Sequence, residues 1–183
     1  MPVNIIKIGG NVIDNEVKLE KFLWSFSQLK GDKILIHGGG KIATKIAKDL
    51  GIKTRMVDGR RITDAAMRDV VTMVYGGLIN KQLVSSLQSK GCNALGLSGA
   101  DANVITSKKR EIKEIDYGFV GDIENVNAKF IATLLKQGIT PVFAPLSFDK
   151  EFGILNTNAD TQASFVAAAL AEFSVVNLIY CFE

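Results

Sequence analysis

The sequence predicts an α/β fold: three layers, with an open, mostly parallel sheet between two layers of helices. Two observations carry that expectation. Short apolar stretches alternate along the chain with segments of helical periodicity, beginning with VNIIKI at 3–8 and KILIH at 33–37. Glycines follow the strands, as Gly9-Gly10 and Gly38-Gly39-Gly40, and a doubly wound sheet holds ligands beyond the carboxyl ends of its strands.

Taken in order, residues 3–8 read as a buried strand. Residues 16–30 place Val17, Phe22, Leu23, Phe26 and Leu29 at helical spacing, with Gly31 as the stop. Residues 33–37 form a second strand. The helix after the triple glycine begins near Lys41, sets Ile42, Ile46 and Leu50 on one face and Lys41, Lys45 and Lys48 in solvent, and ends at Gly51. A long helical stretch starts near Thr63, a natural N-cap, and runs to about Lys90. It carries Val70, Val71, Met73, Val74, Leu78, Leu83 and Leu87, enough apolar surface for a partner subunit or for a central place in a larger core. A strand at 93–98 follows, then short strands and turns from Asn103 to Val126 that read as a small antiparallel excursion. A helix at 127–137, a strand at 139–144, a hairpin at 147–155, an Ala-rich helix at 160–172 and a strand at 175–182 complete the pattern. The chain stops with no closing helix, so the last strand is either a sheet edge or the opening of a further part.

Composition narrows the function. The chain has 183 residues, enough for one ordinary domain or part of a larger one. A net charge of +3 with scattered lysines gives no nucleic-acid footprint. No apolar run approaches the roughly 20 residues of a membrane span, and MPVNIIKIGG lacks a signal-peptide layout. Cys92 and Cys181 stand alone and His37 is the single histidine, which disfavours a zinc site or a Ser-His-Asp triad and points to a cytoplasmic location. No metal-ligating residues are assigned.

The triple glycine is the richest chemical feature. Adjacent glycines allow close approach to a ligand, and the following helix offers free N–H groups and the positive end of its dipole to a phosphate or carboxylate. Lys7, two residues before Gly9-Gly10, can reach an anion held there or extend into solvent. Gly38 to Ala43 also fits a relaxed dinucleotide fingerprint, with Asp58 about twenty residues on as a ribose acid, although a loop follows the helix. The Walker A pattern fails because Ile42 follows Gly40-Lys41. Arg60-Arg61 could hold a carboxylate by two parallel hydrogen bonds or be a surface pair. Asn156 and Asp160 flank a hairpin-to-helix junction, where Asn158 or Asp160 would cap the helix and the remaining polar groups could orient a lysine or hold an amide.

KIGG (7–10), HGGG (37–40), GRRITD (59–64), LGLSGAD (95–101), DYGFVGDIENVN (116–127) and LNTNAD (155–160) occur together, in this order, across nearly the whole chain. In this the sequence resembles the amino acid kinase family, and the arginine loop, the GFVGDIENVN stretch and the NTNAD segment resemble its acylglutamate branch. The resemblance implies phosphoryl transfer from ATP, with Mg2+, to the γ-carboxylate of N-acetyl-L-glutamate in arginine biosynthesis. By the same resemblance Lys7 stabilises the transferring phosphoryl group and Asp160 positions catalytic lysines. Gly10 and Gly39 donate N–H groups to the phosphoryl group. Gly39, Gly40, Arg61 and Asn156 form the acylglutamate-binding set, with Arg61 on the α-carboxylate. Such chemistry rests on positioning and electrostatics, and an ionised carboxylate needs no general base.

Two departures stand out. Alanines flank Asp101 where the family often has Lys and Gly. The family's chain also runs further, so residues 1–174 are expected to be the acylglutamate-binding lobe and 175–183 the first strand of an incomplete nucleotide-binding lobe, inactive alone. The start at the first strand favours an arginine-insensitive homodimer joined through the helix at 64–90. Competing readings are an N-succinylglutamate kinase, a kinase of aspartate or carbamate, a dinucleotide oxidoreductase, and a non-catalytic acylglutamate-binding module.

Overall fold

The computed structural model describes residues 2–181. Five parallel strands form the central sheet in the order β11-β1-β2-β8-β5: β1 Val3–Ile8, β2 Lys33–His37, β5 Ala94–Leu97, β8 Thr140–Phe143 and β11 Val176–Cys181. Phe182, expected in the last strand, and Glu183 lie outside the described residues. Successive side chains of a strand point to opposite faces. Accordingly Ile6, Ile8 and Leu35 enter one core, while Ile5, Ile34 and Ile36 enter the other.

The first core is closed by α2 (Glu16–Gln28), α3 (Gly40–Asp49), α4 (Ala65–Val71) and α5 (Asn80–Ser89), the second by α6 (Ala128–Lys136) and α7 (Ala159–Ala171). Three layers result. In α2, Leu23 and Phe26 are buried and Phe22 is half-buried, but Val17 and Leu29 face solvent. Asn15 caps the start of that helix by accepting from the Lys18 N–H. Its end falls at Gln28, short of Gly31, where Lys33 Nζ donates to the Ser27 and Leu29 carbonyls. In α3 the buried stripe runs through Ala43 and Ala47, which lets the helix lie close on the sheet, while Leu50 is exposed. Lys41, Lys45 and Lys48 are in solvent.

The stretch expected as one helix from Thr63 is three segments: α4, a π-helical segment at Thr72–Ile79, and α5. Its cap is Asp64, which accepts from the Met67 N–H, while Thr63 bonds elsewhere. The wider π turn brings Val74, Tyr75 and Ile79 inward and leaves Met73 and Leu78 exposed.

A second, four-stranded sheet in the order β10-β9-β6-β7 packs beside the first. It joins β6 (Ile105–Lys109) and β7 (Gly121–Val126) to the hairpin of β9 (Leu146–Asp149) and β10 (Gly153–Asn156). A small hairpin of β3 (Arg55–Val57) and β4 (Arg60–Ile62) stands between α3 and α4. Asp58 occupies its tight turn, at φ 49°, rather than the end of a sheet strand, so the dinucleotide pattern lacks its acid. A four-residue helix, α1 (Gly10–Ile13), completes the described elements used below.

The buried layer makes a direct prediction. Phe26 is 1% exposed, whereas Trp24 on the same helix is 60% exposed. Phe26→Ala should destabilise the fold by about 3–5 kcal/mol and Trp24→Ala by less than about 1 kcal/mol, measured by urea unfolding.

Candidate active site

Parallel pairing of β1 and β2 sets Ile8 opposite His37, so the turns that follow lie side by side. The Gly38 N–H donates to the Ile8 carbonyl at 3.1 Å, and the Gly9 N–H to the Cys181 carbonyl at 3.1 Å. Gly39 takes φ 144° and ψ 18°, a backbone state for glycine, and caps α3 without a side chain. A Cβ there would stand 2.3 Å from Ile79 Cδ1 and 3.3 Å from Tyr75 Cδ1, so the π segment is the wall behind this turn.

Lys7, Gly10, Gly39, Gly40, Arg61, Asn156 and Asp160, all singled out from the sequence, line one cleft of about 390 Å³ beyond the carboxyl ends of β1 and β2. Within it Lys7 Nζ lies 2.7 Å from Asp160 Oδ1. Asn158 accepts from the Asp160 and Thr161 N–H groups at 2.9 Å and so supplies the cap of α7. That leaves the Asp160 carboxylate, in the first turn, to pair with Lys7.

The paired arginines separate. Arg60 is exposed at the rim, and Arg61 is buried. Arg61 Nη2 donates to the Gly40 carbonyl and to Thr44 Oγ1, each at 2.9 Å, and Nη1 donates to Thr54 Oγ1 at 3.4 Å. Thr63 Oγ1 gives its one hydrogen to the Arg61 carbonyl at 3.1 Å. It must therefore accept from Asn156 Nδ2, at 3.0 Å, and this fixes which way the Asn156 amide faces.

Further residues line the cleft: Tyr75, Arg110 and Met56 carried no sequence signal, and Val120 falls within the 116–127 motif. Burial pushes the Tyr75 hydroxyl pKa up, opposed in part by the Arg61 charge. Arg110 is anchored by a two-nitrogen pairing with Asp122. The cleft thus gathers Lys7, Arg60, Arg61 and Arg110 against one carboxylate, Asp160, a balance suited to an acidic ligand. Among the described residues no group of three or more His, Cys, Asp or Glu side chains is placed to hold a metal ion. A Mg2+ ion that travels on the phosphates of a nucleotide needs no such cluster.

His37 is wholly buried behind the glycine turn. Burial pulls its pKa down from 6.5 to about 4, opposed by the hydrogen bond to the Gly38 carbonyl.

This arrangement suits an anionic ligand, and the chain's relatives identify its family. Residues 2–178 match the model of the Amino acid kinase family, and the chain belongs to that family. It is 57% identical over 181 residues to an acetylglutamate kinase of Phocaeicola vulgatus, covering 99% of this chain and 70% of that protein. It is 61% identical over 180 residues to an acetylglutamate kinase of Cytophaga hutchinsonii, covering 98% and 68%. Among solved structures, smu.665 of Streptococcus mutans superposes with a TM-score of 0.77 at 26% identity, over 92% of this chain and 69% of that one. An N-acetylglutamate synthase of Neisseria gonorrhoeae, solved with coenzyme A and N-acetyl-glutamate, shares the fold at a TM-score of 0.79 and 19% identity, over 92% and 39%. Among the described residues no helix is long and apolar enough to cross a membrane.

The buried ring yields a pH prediction. The unfolded chain takes up a proton at His37 below pH 6.5, which the folded protein resists until about pH 4. Stability should therefore fall as pH falls through that window, by up to about 3 kcal/mol, and show no His37 contribution above it. Urea unfolding at about pH 7 and about pH 4.5 checks this. In a His37→Asn variant the same pH step should cost less.

Proposed function

We propose that the protein transfers the γ-phosphoryl group of ATP to the γ-carboxylate of N-acetyl-L-glutamate, forming an acyl phosphate in arginine biosynthesis. The observation that carries this is one cleft that brings together a lysine–aspartate pair, two glycine turns, a buried arginine and an oriented amide, in a chain 57% identical to an acetylglutamate kinase.

The division of labour follows from charge. Arg61, held by Gly40, Thr44 and Thr54, presents its remaining donor capacity to the α-carboxylate. Asn156, whose Nδ2 is engaged by Thr63, turns its amide oxygen to the neutral amide N–H of an N-acylated amino acid. A free amino acid would instead bring an ammonium into a cleft already lined by Lys7, Arg60, Arg61 and Arg110. The γ-carboxylate then lies toward Gly39 and Gly10. The N–H groups of Gly10 and Gly39, together with Lys7, offset the negative charge shared by two mutually repelling reactants. Asp160 keeps the Lys7 ammonium in place by its 2.7 Å contact. The attacking oxygen is already ionised, so the site needs no base, and the transfer depends on pre-aligned donors.

ATP is the phosphoryl donor in this account and arrives with its Mg2+. The protein acts as a cytoplasmic homodimer. Val17 and Trp24 of α2 and Leu78 of the π segment, exposed along one groove, support an association surface that the stretch at 64–90 shares with α2.

Calorimetric titration tests the acceptor site without requiring turnover. N-acetyl-L-glutamate should bind in a one-to-one ratio, and L-glutamate should bind at least about tenfold more weakly for want of the amide. Arg61→Lys should weaken N-acetyl-L-glutamate binding by about 10- to 100-fold, because an ammonium's hydrogens radiate from one nitrogen and cannot reproduce the planar fork that reaches Gly40, Thr44 and Thr54. No heat with N-acetyl-L-glutamate, or equal affinity for the two compounds, would overturn the proposal.

A further inference from the structure

His37 has no place in the chemistry above, yet its ring is wholly buried and its hydrogen bonds form a closed chain. Asn80 Nδ2 lies 2.9 Å from the Val142 carbonyl and 3.2 Å from His37 Nε2. A carbonyl only accepts, so this end of Asn80 is its NH2 group. The other end agrees, since Asn80 Oδ1 faces the Lys81 ammonium at 3.2 Å. The second hydrogen of Nδ2 points to Nε2, which must then be the unprotonated ring nitrogen. The proton therefore sits on Nδ1, 2.8 Å from the Gly38 carbonyl, and donates to it. A depressed pKa suits this neutral tautomer, because a proton on Nε2 would face the Asn80 NH2.

That bond has a consequence across one peptide unit. In a trans peptide the carbonyl and the following N–H point in opposite directions, and the described chain contains no cis peptide. The Gly38 carbonyl is drawn inward to the ring, so the Gly39 N–H is turned outward, on the side of the cleft that Gly39 lines. The Gly38 N–H donates to the Ile8 carbonyl, so both edges of Gly38 are held. Glycine-rich turns are otherwise free to flip this peptide at little steric cost. Space for the device is itself provided: a Cβ on Gly96 would fall 1.9 Å from Asn80 Oδ1.

We infer that His37, oriented by Asn80, is a positioning residue that locks the Gly38–Gly39 peptide with its N–H aimed into the cleft. The inference rests on the proposal that this N–H donates to the transferring phosphoryl group. It assigns a task to a side chain that touches no substrate.

The test is NMR on the 15N-labelled full chain, titrated with inorganic phosphate at saturating N-acetyl-L-glutamate. In the unmodified protein the Gly10 and Gly39 amide protons should both move downfield. In His37→Leu the Gly39 response should vanish and phosphate affinity fall about tenfold, the loss of one hydrogen bond to a charged group, while Gly10 still responds. His37→Asn, whose carboxamide N–H can replace the Nδ1 donor, should restore the Gly39 response. A His37→Leu protein with the Gly39 response intact would overturn the inference alone. Silence of both glycines in the unmodified protein would overturn it together with the kinase proposal. Should His37→Leu fail to fold, long-range 1H–15N correlation on the unmodified protein still decides: Nδ1–H supports the inference, and Nε2–H overturns it.

Discussion

Parallel pairing of the first two strands is the constraint on which the rest depends. With Ile8 opposite His37, Gly9-Gly10 and Gly38-Gly39-Gly40 leave the sheet at the same level. A Cβ placed on Gly38 would lie 3.8 Å from the Gly10 nitrogen. A slip of one residue would turn Lys7 to the other face and separate the two turns. Alternating burial prevents that slip, because Ile5, Ile34 and Ile36 fill one core while Ile6, Ile8 and Leu35 fill the other. The apolar pattern of two short strands thus sets where an anion can sit.

Around that fixed pair, the polar groups are over-determined. Each flexible amide in the site has one orientation, because its partner can only donate or only accept. Thr63 decides Asn156, and Val142 decides Asn80 and through it His37. Arg61 is likewise fastened by three oxygens before any ligand arrives. Pre-alignment of this kind lowers the ordering cost of binding and leaves interactions to be made where charge develops. It suits a reaction between two anions, in which repulsion rather than bond-making chemistry is the obstacle.

Much of this was legible in the sequence because it is local. Strand and helix order followed from periodicity, and the glycine turns, Arg61 and Asn158 stood within recognisable motifs. Non-local geometry was not legible. The π segment looks like ordinary helix in sequence, since a turn of five differs from one of four only through what Tyr75 and Ile79 pack against, namely Gly39. Leu50 fits an apolar helix face, yet the sheet accepts Ala43 and Ala47 instead. His37 headed the HGGG motif as a lone histidine, and its orientation was not legible because its partner Asn80 lies 43 residues away in sequence. Arg110 and Val120 reach the cleft from the second sheet, whose mixed pairing of β6 with β9 joins segments that no short-range pattern links.

The most direct test of the account is a crystal structure of the protein soaked with N-acetyl-L-glutamate. The account predicts one molecule in the cleft, its α-carboxylate on Arg61, its amide N–H on the Asn156 oxygen and its γ-carboxylate beside the Gly10 and Gly39 N–H groups, with the Lys7–Asp160 pair intact. A molecule bound in the reverse sense, with the γ-carboxylate on Arg61, or one seated outside this cleft, would contradict it.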